Sequence, residues 1–287
     1  MRFWLVVLLA VFALLPGARA QLSVEIVLDQ GQFLKDESMP IKVRITNRSG
    51  QTLKLGAEKD WLTFSVASRD GFSVTQSRDL PLTTEFTLES ATLVTRRLDL
   101  MPYFDFSYTG RYTIAATLKV PGWEQAINSK PVLVEVVRGT KIWEQEFGVP
   151  ADKGTPEARK YVLQQARFLK DLFLYVRVTD LEEYRTFRVF PAGPLVSFSR
   201  PEAQVDKQSQ LHLLFQTGAR SFRYSVIRPD GEMLVRQTYD YSGSSRPVLK
   251  LQENGNIVVY GGARRLTNEE AARLSASNTN EVDGVKR

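Results

Sequence analysis

The sequence predicts an all-β protein of two consecutive antiparallel domains, and three observations predict it. Apolar residues recur with period two over most of the chain, as in Leu22, Val24, Ile26 and Leu28 or in Ile41, Val43 and Ile45, the spacing that lines one face of a half-buried strand. Turn signals punctuate these runs at Asn47-Arg48-Ser49-Gly50, Arg69-Asp70-Gly71, Thr109-Gly110 and Pro121-Gly122. A length of 287 residues with 43% apolar content is ordinary globular composition and suits two domains better than one.

Residues 1–20 have the form of a secretory signal peptide. Arg2 supplies the positive charge, Phe3 to Leu15 give 13 uninterrupted apolar residues, and Pro16-Gly17 break the helix ahead of Ala18-Arg19-Ala20. Such a run rises only about 20 Å as a helix, short of the ~30 Å hydrocarbon core, so cleavage before Gln21 is expected rather than a permanent anchor. The expected address is the periplasm or the cell exterior, without membrane insertion after cleavage. Removal of Arg2 and Arg19 leaves 36 basic against 32 acidic residues, a net +4. The basic residues are dispersed singly, with no block of five, so a nucleic-acid partner is not expected.

Residues 21–138 form the expected first domain. Beyond the two runs already named, the alternation returns at Leu53 and Leu55, at Leu62, Phe64 and Val66, from Leu93 to Leu100, at Tyr112, Ile114, Ala116 and Leu118, and at Val132, Val134 and Val136. Seven or so short strands without an intervening helix is the count of a β-sandwich. The stretch Phe33 to Gly56, FLKDESMPIKVRITNRSGQTLKLG, resembles the early hairpin of Ig-like modules, including the BsuPI-type proteinase inhibitor domain. Gly110-Arg111-Tyr112-Thr113-Ile114 is placed like the tyrosine corner of that fold. The resemblance implies an Ig-like β-sandwich and, as one functional reading, proteinase inhibition. Trp61 and Trp123 are candidate stacking residues, although core or edge packing is the commoner use of tryptophan in a sandwich. Tyr103, Phe104, Phe106 and Tyr108 crowd around Asp105, either as a contact surface or as a loop closing the sandwich end.

Residues 139–158 read as a junction, because Gly139, Gly148, Pro150, Gly154 and Pro156 interrupt regular structure; Trp143 and Phe147 are expected to pack there, and their spacing would suit one helical turn. Strands are expected again over 159–265, at 160–168, 172–179, 186–190, 211–215, 222–227, 233–239, 248–251 and 257–260. An offset of 46 residues aligns Pro201 with Pro247, Val205 with Leu251, Ser209 with Gly255, Leu211 with Ile257 and Leu213 with Val259. A repeat of that length in a β segment marks propeller blades. Asp206 to Phe215, followed by Phe222-Arg223-Tyr224 and Pro229-Asp230-Gly231, resembles the strand-turn-strand of sialidase-like blades. The resemblance implies a second antiparallel β domain of two to three blade-like units, too few to close a ring of at least four. Its open edges call for cover from the first domain, from a stack of sheets or from further copies of the chain. Residues 266–287 read as a polar tail in which Thr267 or Asn268 caps a short helix through Leu274.

Chemistry is excluded more readily than assigned. With no cysteine there is no disulfide framework, thiolate zinc site or thiol nucleophile, and the single histidine removes any two-His metal motif. No Gly-x-Ser-x-Gly elbow accompanies His212, which reads as structural or as a surface residue, and the pairs Glu182-Glu183, Glu144/Glu146 and Glu269-Glu270 read as solvated charge. Arg200, Arg223, Arg236, Tyr224, Tyr239 and Asp240 are the residue types of a sialidase site, but too few blades are available to surround a sugar. No cofactor is expected. The expected function is non-catalytic binding of an envelope or secreted macromolecule, the alternative a carbohydrate-binding or glycan-processing protein and the further alternative proteinase inhibition; the expected partner is a protein, with a glycan or a homo-oligomer also open. Trp61, Tyr103, Tyr108, Trp123, His212, Arg223, Tyr224, Arg236, Tyr239 and Tyr241 are the candidate contact residues, aromatic and arginine side chains being enriched at interfaces.

Overall fold

A computed structural model describes residues 22–149, 156–243, 245–267 and 270. The expected signal peptide, most of the junction's Gly-Pro segment and nearly all of the polar tail lie outside these residues. The chain divides into two compact units, one holding the residues up to Phe33 together with Met39–Val136, the other holding Leu34–Ser38 and the chain from Val137 onward. Both are all-β and built of antiparallel sheets.

In the first unit the strands are β1 (Leu22–Leu28), β2 (Gln32–Leu34), β3 (Pro40–Asn47), β4 (Leu53–Leu55), β5 (Leu62–Ser68), β6 (Phe86–Leu88), β7 (Leu93–Asp99), β8 (Gly110–Leu118), β9 (Ile127–Asn128) and β10 (Val132–Val137). One sheet has the order β1-β3-β7 and the other β2-β10-β8-β5, with β9 beside β8 and a separate β4-β6 ladder. The inward positions of both larger sheets join in one core, including Ile26, Ile41, Val43, Ile45, Phe64, Tyr112, Ile114 and Val134. Every period-two run expected here is a strand; β2, β6 and β9, of two or three residues, were not among the expected runs. The Tyr112 hydroxyl donates to the Tyr108 carbonyl at 2.5 Å, tying the connection to the start of β8.

The second unit opens with an up-and-down meander of four strands, β11 (Thr140–Val149), β12 (Glu157–Phe168), β13 (Asp171–Asp180) and β14 (Thr186–Pro194). A second meander follows, β15 (Glu202–Val205), β16 (Leu211–Gln216), β17 (Ser221–Ile227) and β18 (Met233–Asp240), then the hairpin of β19 (Val248–Leu251) and β20 (Ile257–Tyr260), and β21 (Ala263–Arg265), which pairs with β18. Leu211, Leu213, Phe215 and Ile227 from one face of the second meander pack with Tyr161, Leu163, Leu174 and Val176 of the first. The other face, with Leu214, Phe222, Tyr224 and Val226, packs with Leu249 and Ile257 of the hairpin. Sheets stacked face to face in succession make this unit propeller-like.

Residues 140–149 are a correction to the junction reading. They are a strand throughout, and Trp143 and Phe147 are two strand periods apart, not one helical turn. A register shift between Lys141 and Trp143 leaves Ile142 without a partner on β12. That extra residue breaks the period-two pattern that would have announced the strand.

The 46-residue offset is structural. β15 pairs with β16 through Ala203↔Leu213 and Val205↔Leu211. β19 pairs with β20 through Leu249↔Val259 and Leu251↔Ile257, the same register 46 positions on. The turns repeat too. Asp206 N–H donates to Gln210 O and Ser209 N–H to Asp206 O, as Gln252 N–H donates to Asn256 O and Gly255 N–H to Gln252 O. The β17–β18 turn uses this geometry a third time, between Arg228, Gly231 and Glu232. Its fourth residue is left-handed in each case: Ser209 has φ 61°, and Gly231 and Gly255 have φ 85°.

Candidate functional site: an aromatic and cationic groove

The bulge in β11 builds one wall of a groove. A bulge turns two successive side chains toward one side of the sheet, and Ile142 and Trp143 accordingly line the same cleft. The opposite wall is the β14–β15 connection, with Leu195, Ser197, Phe198, Ser199, Arg200 and Pro201; Gln165 of β12 completes the lining. That connection is anchored at its base by Leu195 N–H on Leu172 O at 2.7 Å and Val196 N–H on Gln216 O at 3.1 Å. Ser199 N–H closes a tight turn onto Val196 O, which holds Phe198 out in solvent at 87% exposure.

The cleft is about 630 Å³, within the range of small-ligand sites. Two aromatic rings offer apolar faces, and Gln165 and Ser197 offer hydrogen bonds. Arg200 lines the cleft and has no ion-pair partner among the described residues, so its guanidinium is available to an acceptor. The Ser199 hydroxyl is buried behind this wall without a hydrogen-bond partner among the described residues.

The candidate contact residues read from the sequence do not converge. Trp61 is 1% exposed in the first unit's core, with its indole N–H donating to Leu82 O, so it has no face for a ligand. Trp123 and Tyr103 pack half-buried against that core. Tyr108 is exposed and stacks on Phe72 at 4.5 Å, whereas Phe104 and Phe106 of the same aromatic run are core. In the second unit His212, Tyr224, Tyr239 and Tyr241 belong to the face packed toward β19–β20, and Arg223 and Arg236 to the opposite face. Tyr239 and Tyr241 are half-buried there, Tyr239 edge-on to Tyr224 and Tyr241 edge-on to Phe222.

His212 contacts two side chains of the second meander. It is buried, with Nε2 3.0 Å from Asp206 Oδ2 and Nδ1 2.7 Å from the Tyr224 hydroxyl. A carboxylate only accepts, so Nε2–H donates to Asp206 and, in the neutral ring, Nδ1 accepts from Tyr224. Burial pushes the Tyr224 hydroxyl up to about 12 and keeps it a donor. Arg223 lies over the Gly193 backbone with Nη1 donating to Ala192 O at 3.0 Å, where a β-carbon on Gly193 would meet it at 2.2 Å.

A second, more polar cleft in the second unit is lined by Lys35, Asp36, Arg138, Lys141, Gln164, Arg177 and Glu183. Here one member of each of two acidic pairs, Glu183 and Glu144, is ion-paired, while Glu182 and Glu146 are exposed as expected. Glu183 accepts from Lys141 at 2.6 Å and lies 3.0 Å from Lys160; Glu144 accepts from Lys141 at 2.9 Å. Hydrogen bonds from Lys141 hold both carboxyls below their ordinary range, and the carboxylates hold both lysines above theirs. Groups so paired stay ionised near neutrality and suit structure better than proton transfer. Buried Arg177 spends its guanidinium on Asp36 (2.7 Å), Thr186 Oγ1 (2.8 Å), Lys35 O (2.7 Å) and Gln164 Oε1 (3.2 Å).

Trp143 and Phe198, the groove's two rings, were not legible as site residues. Phe198 carries one signal in retrospect: an aromatic among Ser197, Ser199 and Arg200, between two strands, has no alternation to place it in a core. Among the described residues no group of three or more His, Asp or Glu side chains is placed to hold a metal ion. No protein-family model and no curated protein matches the chain.

Proposed function

We propose that this chain is a non-catalytic exported binding protein that engages an envelope or secreted protein through the groove of Trp143, Phe198 and Arg200. The observation that carries the reading is the exposed Phe198 opposite the bulged Ile142–Trp143 wall, beside Arg200, which has no ion-pair partner among the described residues. Aromatic and arginine side chains are the usual anchors of protein interfaces, and strand-end connections on a rigid sheet scaffold are where binding residues concentrate. His212, the single histidine, is buried between Asp206 and Tyr224 and is not among the residues that line the groove.

The first unit supports the module reading as an Ig-like sandwich. Its sheet orders β1-β3-β7 and β2-β10-β8-β5, the Tyr112–Tyr108 bond and the buried Trp61 at the start of β5 match the hallmarks of that fold. Export rests on residues 1–20 as read from the sequence.

A glycan is the second reading, favoured by Trp143 beside Gln165 and Arg200, a stacking platform flanked by hydrogen-bonding side chains. Affinity capture from an envelope extract with wild-type protein and with Trp143→Ala/Arg200→Glu, run beside a glycan panel read by tryptophan fluorescence, separates the readings. Stoichiometric capture of one protein, lost in the double variant, supports the first. Quenching by a glycan without such capture supports the second, and neither response overturns the groove as a binding site.

A further inference from the structure

The polar cleft of the second unit carries more positive charge than its own carboxylates neutralise. It encloses about 450 Å³ on the side of the sheet that Gln164 faces, while Gln165, the next residue of β12, lines the Trp143 groove on the other side. Its walls hold four cations, Lys35, Arg138, Lys141 and Arg177, against two carboxylates, Asp36 and Glu183. Both carboxylates are taken: Asp36 accepts from Arg177 at 2.7 Å and Glu183 from Lys141 at 2.6 Å. Lys160 and Glu144 join the same network and add one charge of each sign, Lys160 lying 3.0 Å from Glu183 and 3.4 Å from Glu144. Two positive charges are left over. They belong to Lys35 and Arg138, which are exposed and have no ion-pair partner among the described residues.

The backbone sets these two side by side. Lys35 N–H donates to Val137 O at 3.1 Å, next to Arg138, and Arg177 Nη2 donates to Lys35 O at 2.7 Å. Behind them the cleft has buried donors. Arg177 places four of its five N–H groups on Gln164, Asp36, Thr186 and Lys35 O, which leaves one on Nη2 without a partner among the described residues. Gln164, 9% exposed, gives its Oε1 to Arg177, and its Nε2 has no such partner either.

We propose that this cleft binds the phosphoryl group of a small phosphomonoester. Such a group brings about −1.5 to −2 charges near neutrality on a single head, which matches the surplus of two, whereas one carboxylate would leave a cation uncovered. A lysine as point charge and an arginine as fork are the usual phosphate partners. The volume is that of a small-ligand site and leaves room beyond the phosphoryl group for the organic part, within reach of Gln164.

Isothermal titration calorimetry of the protein with glycerol 3-phosphate, inorganic phosphate and succinate, all at one ionic strength, tests this. The expected result is one site that takes a phosphate more tightly than the dicarboxylate. Lys35→Gln/Arg138→Gln should weaken it about tenfold with an unchanged circular dichroism spectrum, since both side chains are exposed and hold no other group. The ester should also raise the urea midpoint of the wild type and not that of the double variant. Tighter binding of the ester than of inorganic phosphate supports the proposal as stated. No heat from glycerol 3-phosphate, equal affinity in the double variant, or succinate bound as tightly overturns it. Trp143→Ala/Arg200→Glu leaves this cleft intact, because it shares no lining residue with the groove.

Discussion

Tyr161→Phe isolates one bond between the two meanders of the second unit. Tyr161 is wholly buried on β12, stacked on Phe147 at 4.1 Å, and its hydroxyl lies 3.0 Å from Ser209 O and 3.1 Å from Ile227 O. One proton is shared between two carbonyls of the second meander, so its removal forfeits a hydrogen bond and leaves a buried acceptor short of a donor. The net cost is about 1–2 kcal/mol, since phenylalanine keeps the ring in place. Tyr161→Ala also loses the stacking and leaves a cavity, for about 3–5 kcal/mol. Burial raises the hydroxyl far above its ordinary value, so it stays a donor through the alkaline range and the Tyr161→Phe difference is constant across neutral pH. Urea unfolding followed by tryptophan fluorescence at two pH values measures it. A Tyr161→Phe variant as stable as wild type, or as damaged as Tyr161→Ala, would refute the assignment of the hydroxyl as the tie.

Arg177→Ala removes four hydrogen bonds at a buried site and should cost about 2–3 kcal/mol, discounted because Asp36 remains partly solvated; limited proteolysis should then open the Leu34–Ser38 segment first. Glu183 titrates below its ordinary 4.5 because Lys141 donates to it, so its contribution is present above that value and lost as pH falls through the depressed one. Glu183→Gln should flatten the acid limb of the stability curve, and an unchanged acid limb contradicts the pairing. Lys141 and Lys160 are raised above 10.5, so their contribution is full below that value and lost only as pH climbs through the raised one, leaving stability level through neutrality. Gly255→Ala places a β-carbon at φ 85° and 2.5 Å from the flexible Lys207 side chain, which can move; the backbone strain remains and should cost about 1 kcal/mol by thermal unfolding.

Much of the fold was written in the chain because period-two alternation survives wherever one sheet face is buried and the other wet. Leu22 to Leu28 and Ile41 to Asn47 show this in the first unit. The 46-residue offset carried further still, since it fixed both strands and turns of two hairpins. What the sequence concealed has local causes. The Ile142 bulge shifts the period within β11, so Trp143 and Phe147 passed for a junction. Arg177, Lys160 and Gln164 are buried polar residues whose partners, such as Asp36 and Glu183, are distant in sequence, and no spacing rule pairs them. The site was the least legible part. Residue types alone nominated Trp61 and Tyr224, which the cores absorb, while the exposed ring at Phe198 depends on a turn closed by Ser199.

The most direct test of the binding account is a photo-crosslinking residue at Phe198, compared with the same residue at Tyr184, an equally exposed aromatic outside the groove. In native envelope, the account predicts one dominant adduct from position 198 that disappears when Trp143→Ala is added, and no such adduct from position 184. No adduct at 198, or the same adducts from both positions, would contradict it.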